Sequence, residues 1–183
     1  MPRALRLLKK TARLCGSNTV VIEAAIGSEP GQAELNEMPH LDISFVHFGT
    51  GGGRPSIGVR TIDQLTEEYG MPDLLKIDVE GAELSALQGA STTLSQQNPP
   101  IVMIEYIESN ATHFDSYGLT DLLCHFPEDR FKTFRIIKPG QLQQYDKSGP
   151  DLTNDYLMVP VQKLSVIEPL LVGLDASAYQ TPL

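Results

Sequence analysis

Apolar and polar residues follow two different periods along the chain, and the change of period marks the predicted elements. In residues 2–14, leucines and alanines recur at helical spacing among basic residues, which predicts an amphipathic helix that Gly16 ends. Residues 19–25 are β-branched and mostly apolar, as is typical of a buried strand. Shorter patterns predict strands at 32–37, 43–48 and 56–60.

The rest of the chain alternates strands with helical stretches. A capping-box pattern, with Thr61 as the N-cap and Gln64 three residues later, opens a helix that ends at Gly70. Strands are predicted at 73–79, 101–107, 131–137 and 155–160, and helices at 82–96 and 117–126. This alternation predicts βαβ units, a parallel sheet with helices on both faces, and one α/β domain.

Composition adds little to this picture, but charge excludes one class of partner. The chain has 183 residues, 41% apolar and 20% charged, which is ordinary for a globular domain. Apolar runs such as 101–104 are far shorter than a spanning helix, so no transmembrane segment is expected. Five of the 14 basic residues lie in the first 13 positions, and the remainder, with nine basic and 23 acidic residues, carries −14. Such a body repels a phosphate backbone, so no nucleic acid is expected as a partner.

The cysteines and the basic helix bear on where the protein works. Cys15 and Cys124 lie far apart with no C-x-x-C partner, which predicts a reducing compartment, the cytoplasm, and no disulfide scaffold. The helix at 2–14 has two interpretations: it lies on a membrane or serves as an organelle presequence, or it packs its leucine face on the domain. Packing is favoured because surface helices are commonly amphipathic.

Acidic side chains mark the ends of two predicted strands. Asp78 and Glu80 flank Val79, where one strand runs into a helix, and Glu105 occupies the corresponding place in the next strand. An acid in a buried apolar strand is costly unless it is hydrogen-bonded or used, and ligands bind at this end of such sheets. Two structural alternatives remain: Asp78 and Glu80 cap the helix, and Glu105 pairs with Lys76.

The remaining candidate groups form no recognised site. The four histidines, His40, His47, His113 and His125, lack metal-ligand spacing with one another or with cysteine, so no metal is expected. His113, predicted in a loop, is a candidate general base, although a solvated loop histidine is commoner. The glycine-rich stretch at 49–53 lacks the ending of a P-loop. The residues alone therefore predict an α/β domain with a carboxylate cluster at one sheet edge.

Two linked motifs resemble those of a known family. The run Lys-Ile-Asp-Val-Glu-Gly-Ala-Glu at 76–83, followed by Leu-x-Gly-Ala at 87–90, closely resembles the FkbM-type methyltransferases. The segments at 25–31, 101–105 and 154–160 are similar to that family's post-strand turn, next strand and closing strand. The resemblance covers residues 1–160 and leaves 161–183 as a C-terminal extension.

The resemblance implies a fold, a cofactor and a site. The implied fold is the Rossmann-like class I methyltransferase sheet, mostly parallel with an antiparallel closing strand, in the strand order 3-2-1-4-5-7-6. The implied cofactor is S-adenosylmethionine (SAM), and the implied acceptor is a hydroxyl oxygen of a small molecule or glycan. By the same resemblance, Asp78, Glu80 and Glu105 are catalytic residues, with Asp78 also beside the cofactor, and Ala25 lies near the adenine.

The front of the chain departs from that family. The family's first strand with its glycine-rich SAM loop, and the second strand with its ribose-binding acid, are not found, and the helix at 2–14 resembles the one that follows them. An N-terminally truncated domain is therefore expected, with open strand edges that favour self-association. Three functions are considered: a SAM-dependent O-methyltransferase, a non-catalytic remnant that acts as an interaction module, and a different α/β enzyme such as a hydrolase. For the third, neither a nucleophile nor a metal set is recognised.

Overall fold

The computed structural model of the chain describes residues 3–15, 18–38, 43–48, 56–114, 116–146 and 154–171, which form a mixed α/β fold with two sheets. The helices are α1 (Arg3–Cys15), α2 (Ile62–Tyr69), α3 (Glu83–Gln88), α4 (Ser91–Ser95), α5 (Glu108–Phe114), α6 (Leu119–Leu123) and α7 (Leu164–Ile167). The strands are β1 (Ala25–Ile26), β2 (Gly31–Met38), β3 (Ile43–Phe48), β4 (Ser56–Arg60), β5 (Leu74–Ile77), β6 (Ile101–Glu105), β7 (Phe131–Lys138), β8 (Gln141–Gln144) and β9 (Asp155–Pro160).

The larger sheet has five strands in the order β5-β6-β9-β7-β8. β5 and β6 are parallel, with Leu74 opposite Ile101 and Ile77 opposite Ile104. β9 lies antiparallel between β6 and β7, so β5, β6 and β7 run in one direction. The order β5-β6-β9-β7 corresponds to the 4-5-7-6 half of the strand order that the resemblance implied, and β9 is the antiparallel closing strand.

Both faces of this sheet are covered, because successive side chains of its inner strands point to opposite faces. Tyr156 and Met158 of β9 face the main core, which α2 to α6 complete. Leu157 and Val159 face a second core, in which Leu164 of α7 is packed. Residues 161–171, assigned from the sequence to an extension, therefore supply side chains to the second core.

The smaller sheet has the order β1-β4-β2-β3. β1 is parallel to β4, and β2 is antiparallel to both β3 and β4. A small cluster of Ala25, Ala33 and Val59 forms its buried face. The end of β1 meets α3, because the backbone N–H of Ser28 donates to the hydroxyl of Ser85 at 3.0 Å.

The expectation of a mostly parallel sheet is wrong. Among the described strands, β1–β4 and β5–β6 are parallel, and the other five pairings are antiparallel. Short connections account for part of this result. β7 and β8, for example, are joined by two residues, of which Gly140 has a φ of +75°, and so short a loop can join only antiparallel strands.

Several predicted elements differ from those observed. The strand predicted at 19–25 is reduced to the two residues of β1, because β4 pairs with Ala25 and Ile26 alone. The helix predicted at 82–96 is two helices, α3 and α4, and the one predicted at 117–126 is the shorter α6. β8 and α5 were not predicted. The glycine-rich stretch at 49–53 lies outside the described residues.

Helix α1 buries only part of its apolar face. Ala12 is buried, whereas three leucines of the same face are exposed: Leu7 54%, Leu8 54% and Leu14 79%. Packing thus accounts for part of the amphipathic pattern. No helix in the described segments has the length and apolar character needed to cross a bilayer.

Candidate functional site

Four carboxylates meet at the edge of the larger sheet where β5 and β6 end. Because these strands are parallel and in register, their carboxyl ends share this edge. Asp78 directly follows β5, and Glu105 is the last residue of β6. They line a small cavity that is partly open to solvent, whose walls are Asp78, Glu80, Glu83, Glu105, Ile107 and Asn110. The structure therefore brings together the three predicted catalytic side chains, and we refer to Asp78, Glu80, Glu83 and Glu105 as the carboxylate cluster.

A tight turn between β5 and α3 carries Glu80. Glu80 has a φ of +54° and Gly81 a φ of +105°, both in the left-handed region. For a residue with a Cβ, such as Glu80, this conformation costs about 1–2 kcal/mol. The buried Glu83 carboxylate accepts the N–H of Val79 at 3.2 Å and that of Gly81 at 3.1 Å. Hydrogen bonds to a charged acceptor contribute about 1.5–3 kcal/mol each, so Glu83 offsets the cost of the turn.

The second oxygen of Glu83 accepts the hydroxyl of Tyr117 at 2.5 Å. The same hydroxyl lies 3.1 Å from the carbonyl oxygen of Gly81, and its single proton can serve one acceptor well. Burial, followed by the Glu83 carboxylate, raises the pKa of Tyr117 far above its ordinary value. The phenol therefore keeps its proton and remains a donor to Glu83 at neutral pH.

Asp78 is held by Lys76, from the same strand. The Lys76 Nζ lies 2.6 Å from Asp78 Oδ2, and both side chains are partly in water. The hydrogen bond with Asp78 raises the pKa of Lys76, so the ammonium stays charged. The alternative that Lys76 pairs with Glu105 is thus wrong, because the ion-pair partner of Lys76 is Asp78. The capping alternative is wrong as well: α3 has Ala82 as its N-cap and no side-chain hydrogen bond there, and the N–H groups of the preceding turn bond to Glu83.

Glu105 lies in the most acidic surroundings of the cluster. Burial raises its pKa first, and the nearby charge of Asp78, a hydrogen bond with Asp78, and the charges of Asp155 and Glu80 raise it further. Asp155 stands directly opposite Glu105 in the β6–β9 pairing. Asp78 and Glu105 lie close enough to influence each other, so they form a candidate acid–base pair.

Asn110 completes the cavity wall, and sequence reasoning missed its role. Its side-chain amide donates to Glu80 Oε2 at 2.9 Å. The sequence offers no periodic signal for α5, the helix that positions Asn110. His113, predicted in a loop, lies within the helix α5 instead.

Ala25 lies in the smaller sheet, apart from the carboxylate cluster. It is the first residue of β1, and its side chain packs against Ala33 and Val59. The following residues approach α3, where a Cβ on Gly89 would come within 2.2 Å of the carbonyl oxygen of Gly27. The residues that follow Ala25 therefore contact α3, the helix that begins beside the carboxylate cluster. The side chain of Ala25 itself does not line the cavity.

The cluster fits part of the implied cofactor. Carboxylates suit a sulfonium cation and a hydroxyl donor, but ligand sites for drug-sized molecules have volumes of about 300–1,000 Å³. The cavity has about 160 Å³ of empty space even with open solvent included, and its enclosed space does not hold a water molecule, so a whole nucleoside cofactor does not fit in it. The described residues contain no group of three or more histidine, cysteine, aspartate or glutamate side chains arranged to hold a metal ion.

A larger cavity, of about 650 Å³, lies at the opposite edge of the same sheet. It opens beside the first residues of β7, whereas the cluster lies at the carboxyl ends of β5 and β6, which run in the same direction. Its walls contain none of the motif residues: they are Thr120, Leu123, Cys124, Phe126, Pro127, Glu128, Phe131, Lys132, Thr133, Gln144, Tyr145 and Asp146. Volume alone would favour this cavity, but clustered carboxylates at the carboxyl ends of parallel strands favour the smaller one.

Comparisons with known proteins agree with the motif. The model of the methyltransferase FkbM domain matches residues 14–123, more than half of the chain and every residue of the cavity wall. No curated protein matches. The chain is similar to the crystal structure of methyltransferase FkbM from Methylobacillus flagellatus KT, with 23% identity, a TM-score of 0.49, 86% of this chain covered and 34% of that one. It thus spans about a third of the length of that solved protein. The family match over residues 14–123 shows that the chain belongs to the FkbM methyltransferase family.

Proposed function

We propose that this chain takes part in SAM-dependent methyl transfer to a hydroxyl oxygen of a small molecule or sugar, in the cytoplasm. The observation that supports this function best is the meeting of Asp78 and Glu105 at the carboxyl ends of two parallel strands, beside Glu80 and Asn110. Paired carboxylates can orient an acceptor hydroxyl and take its proton. Membership of a methyltransferase family supplies the reaction type.

The side chains of the cluster divide the work. Glu105 is the better general base, because burial and its acidic neighbours raise its pKa and so strengthen it as a base. Asp78, fixed by Lys76, orients the acceptor and carries negative charge toward a sulfonium. Glu80 contributes a second charge from the opposite wall. Ala25 would lie near the adenine and would contact it only through backbone atoms, because its side chain packs in the smaller sheet.

SAM, when bound, would supply an electrophilic methyl group on a cationic sulfur. The chain's own part would be to hold the acceptor hydroxyl in line and to accept its proton on Glu105, while the carbon–oxygen bond forms, the sulfur–methyl bond breaks and the sulfur leaves as a neutral thioether. The proton then leaves through the edge at Asp78, where water reaches the side chain.

Calorimetric titration of the 183-residue chain with SAM tests this proposal. Binding at micromolar concentration is expected, and Asp78→Asn should weaken it about ten-fold, because one charge facing the sulfonium is lost. Asp73→Asn is the matched control: it removes the same charge just before the amino end of β5, where Asp73 is exposed. Equal loss in both variants would assign the effect to net charge and contradict a role for Asp78. No binding by the parent chain, together with a cooperative melt, would overturn the proposal for this chain.

A second candidate function is an interaction module without catalysis. The small volume of the cavity favours it, as does β5, which among the described strands pairs on one side. The same titration separates the two functions, since an interaction module binds no SAM.

A further inference from the structure

We infer that Tyr117 and Glu83 form a clamp that holds the Glu80–Gly81 turn in its left-handed conformation and so sets where the carboxylates of Asp78 and Glu80 point. Tyr117 does not line the cavity, and both carboxylate oxygens of Glu83 are engaged by the turn and by Tyr117, so we treat both as positioning residues. The inference rests on the proposed function for its catalytic consequence, but the clamp itself is a property of the folded chain.

The clamp spans two segments that are distant in sequence. Glu83 binds both ends of the turn through the N–H groups of Val79 and Gly81, and Tyr117 binds Glu83 from 34 residues further along the chain. Glu83 is 3% exposed and Tyr117 6%, so water cannot replace these hydrogen bonds easily.

A second contact joins the same two segments. Asn110, seven residues before Tyr117, donates to the Glu80 side chain at 2.9 Å. The stretch from Asn110 to Tyr117 thus holds the turn twice, once through the charged tip of Glu80 and once through the backbone. Between these two fixed points, Glu80 has little freedom to turn away from Glu105.

The tyrosine hydroxyl can be removed without changing the packing of the ring. Tyr117→Phe keeps the ring in the main core, against Tyr106 at a centroid distance of 6.1 Å, and deletes the bond to Glu83. Tyr69→Phe is the matched control, because Tyr69 is 53% exposed at the end of α2. Glu83→Gln is a second variant, which keeps the side-chain volume but loses the charge that both N–H groups bind.

Amide hydrogen exchange tests the clamp without any assay of activity. In Tyr117→Phe, the amides of Val79 and Gly81 should exchange about ten-fold faster, and more in Glu83→Gln, while the amides of β9 keep their protection. The double variant should differ little from Glu83→Gln alone, because both changes break one network. Uniformly faster exchange over β9 as well would mean a general structural role and would overturn the inference, as would unchanged exchange at Val79 and Gly81.

Titration of the Glu105 carboxyl carbon by NMR reports on positioning. The charged groups that face it are Lys76 from β5, Asp78 directly after β5, Glu80 from the turn and Asp155 from β9. When the clamp is released and the turn relaxes, Glu80 and Asp78 move, so the pKa of Glu105 should fall toward its ordinary value in Tyr117→Phe but not in Tyr69→Phe. An unchanged titration would contradict the positioning role. Failure of the parent chain to bind SAM would overturn the proposed function and leave both readouts of the clamp intact.

Discussion

At the scale of single residues, position within the fold changes what an acid does. Asp78, Glu83 and Glu105 bear the same carboxyl group, yet Asp78 is held by a lysine at the surface, Glu83 is buried and accepts two backbone N–H groups, and Glu105 lies among other acids. The sequence predicted that acids gather here. It did not predict this division, because Tyr117, which bonds to Glu83, and Asp155, which lies opposite Glu105, come from other elements.

Glu105→Gln should stabilise the protein at neutral pH. The folded-state pKa of Glu105 is raised, so the folded chain holds this proton above the pH at which the unfolded chain loses it. Stability is therefore lost as pH rises from the ordinary value of 4.5 through the raised one, and is highest below both. The substitution should raise the Tm by roughly 2 °C at about pH 7 and leave it unchanged near pH 4.

Thermal melts of Glu105→Gln and Glu29→Gln at both pH values check this expectation. Glu29 is exposed in the turn before β2, and its substitution removes the same charge from outside the cluster. An equal rise in Tm in both variants would show that the effect comes from the change in net charge and not from the position of Glu105.

At the scale of elements, hydrogen bonds between helices decide where helices end. The pattern at 82–96 predicted one helix, but the Gly89 carbonyl accepts the N–H of Asp63 at 2.9 Å. The Asp63 carboxylate in turn accepts the N–H groups of Thr92 and Thr93, at 2.9 and 2.7 Å, and so begins α4. The capping box at Thr61 and Gln64 was predicted correctly, because both of its residues lie within one turn.

Asp63→Asn should destabilise the protein by about 1 kcal/mol at neutral pH, the usual contribution of a helix cap. Burial by itself raises the pKa of Asp63, but hydrogen bonds from Thr93 and Thr92 outweigh it and lower the pKa below 3.8. The stabilisation is thus present above the ordinary pKa and is lost as pH falls through the lowered one. Urea denaturation at about pH 7 and pH 2.5 measures both effects.

Glu67→Gln is the control for Asp63→Asn, since Glu67 lies exposed on the same helix. A loss of stability that persists in full at the lower pH would mean that the shape of Asp63 matters and its charge does not.

At the scale of the whole molecule, the two sheets are joined near Gly27 and Gly89. Residues 27 and 28 contact α3, and the start of α2 bonds to Gly89, so three segments cross at one place. The Leu-x-Gly-Ala motif at 87–90 supplies the glycine that this crossing requires. The structure thus explains why a glycine occupies position 89: a Cβ there would clash with the Gly27 backbone.

Gly89→Ala should destabilise the protein by about 1–3 kcal/mol, the usual cost of overpacking. The new Cβ would come within 2.2 Å of the Gly27 carbonyl oxygen, which belongs to the backbone and cannot rotate away. Gly58→Ala is the control, because a Cβ there meets nothing within 4 Å. Denaturant titration of both variants gives the comparison, and similar midpoints would contradict the close approach.

The unpaired side of β5 should make the chain associate with itself. Among the described strands, β5 ends the larger sheet, and Leu74 on it is 57% exposed. Exposed apolar edges pair with other chains, and a lysine on the edge opposes this. Sedimentation should show concentration-dependent association of the parent chain, which Leu74→Lys reduces.

Met71→Lys is the matched control for the edge, since Met71 is 41% exposed just before the strand. Equal loss of association in both variants would mean that the added surface charge, and not its place on the β5 edge, reduces association. A parent chain that stays monomeric at high concentration would contradict pairing at this edge.

The sequence by itself determined the local features of this protein: the capping box, the strands at 43–48, 56–60 and 155–160, and the motif at 76–83 whose acids meet at one edge. These features arise from residues close in sequence or from a hydrophobic period, so they can be read without a fold. The tertiary structure alone decided which strands pair, that the sheets are mixed, and that Tyr117 and Asn110 hold the turn that carries Glu80. The bonds of Asn110 and Tyr117 join residues 30 and 34 positions apart, and their free energy depends on burial and geometry that arise only when the chain has folded.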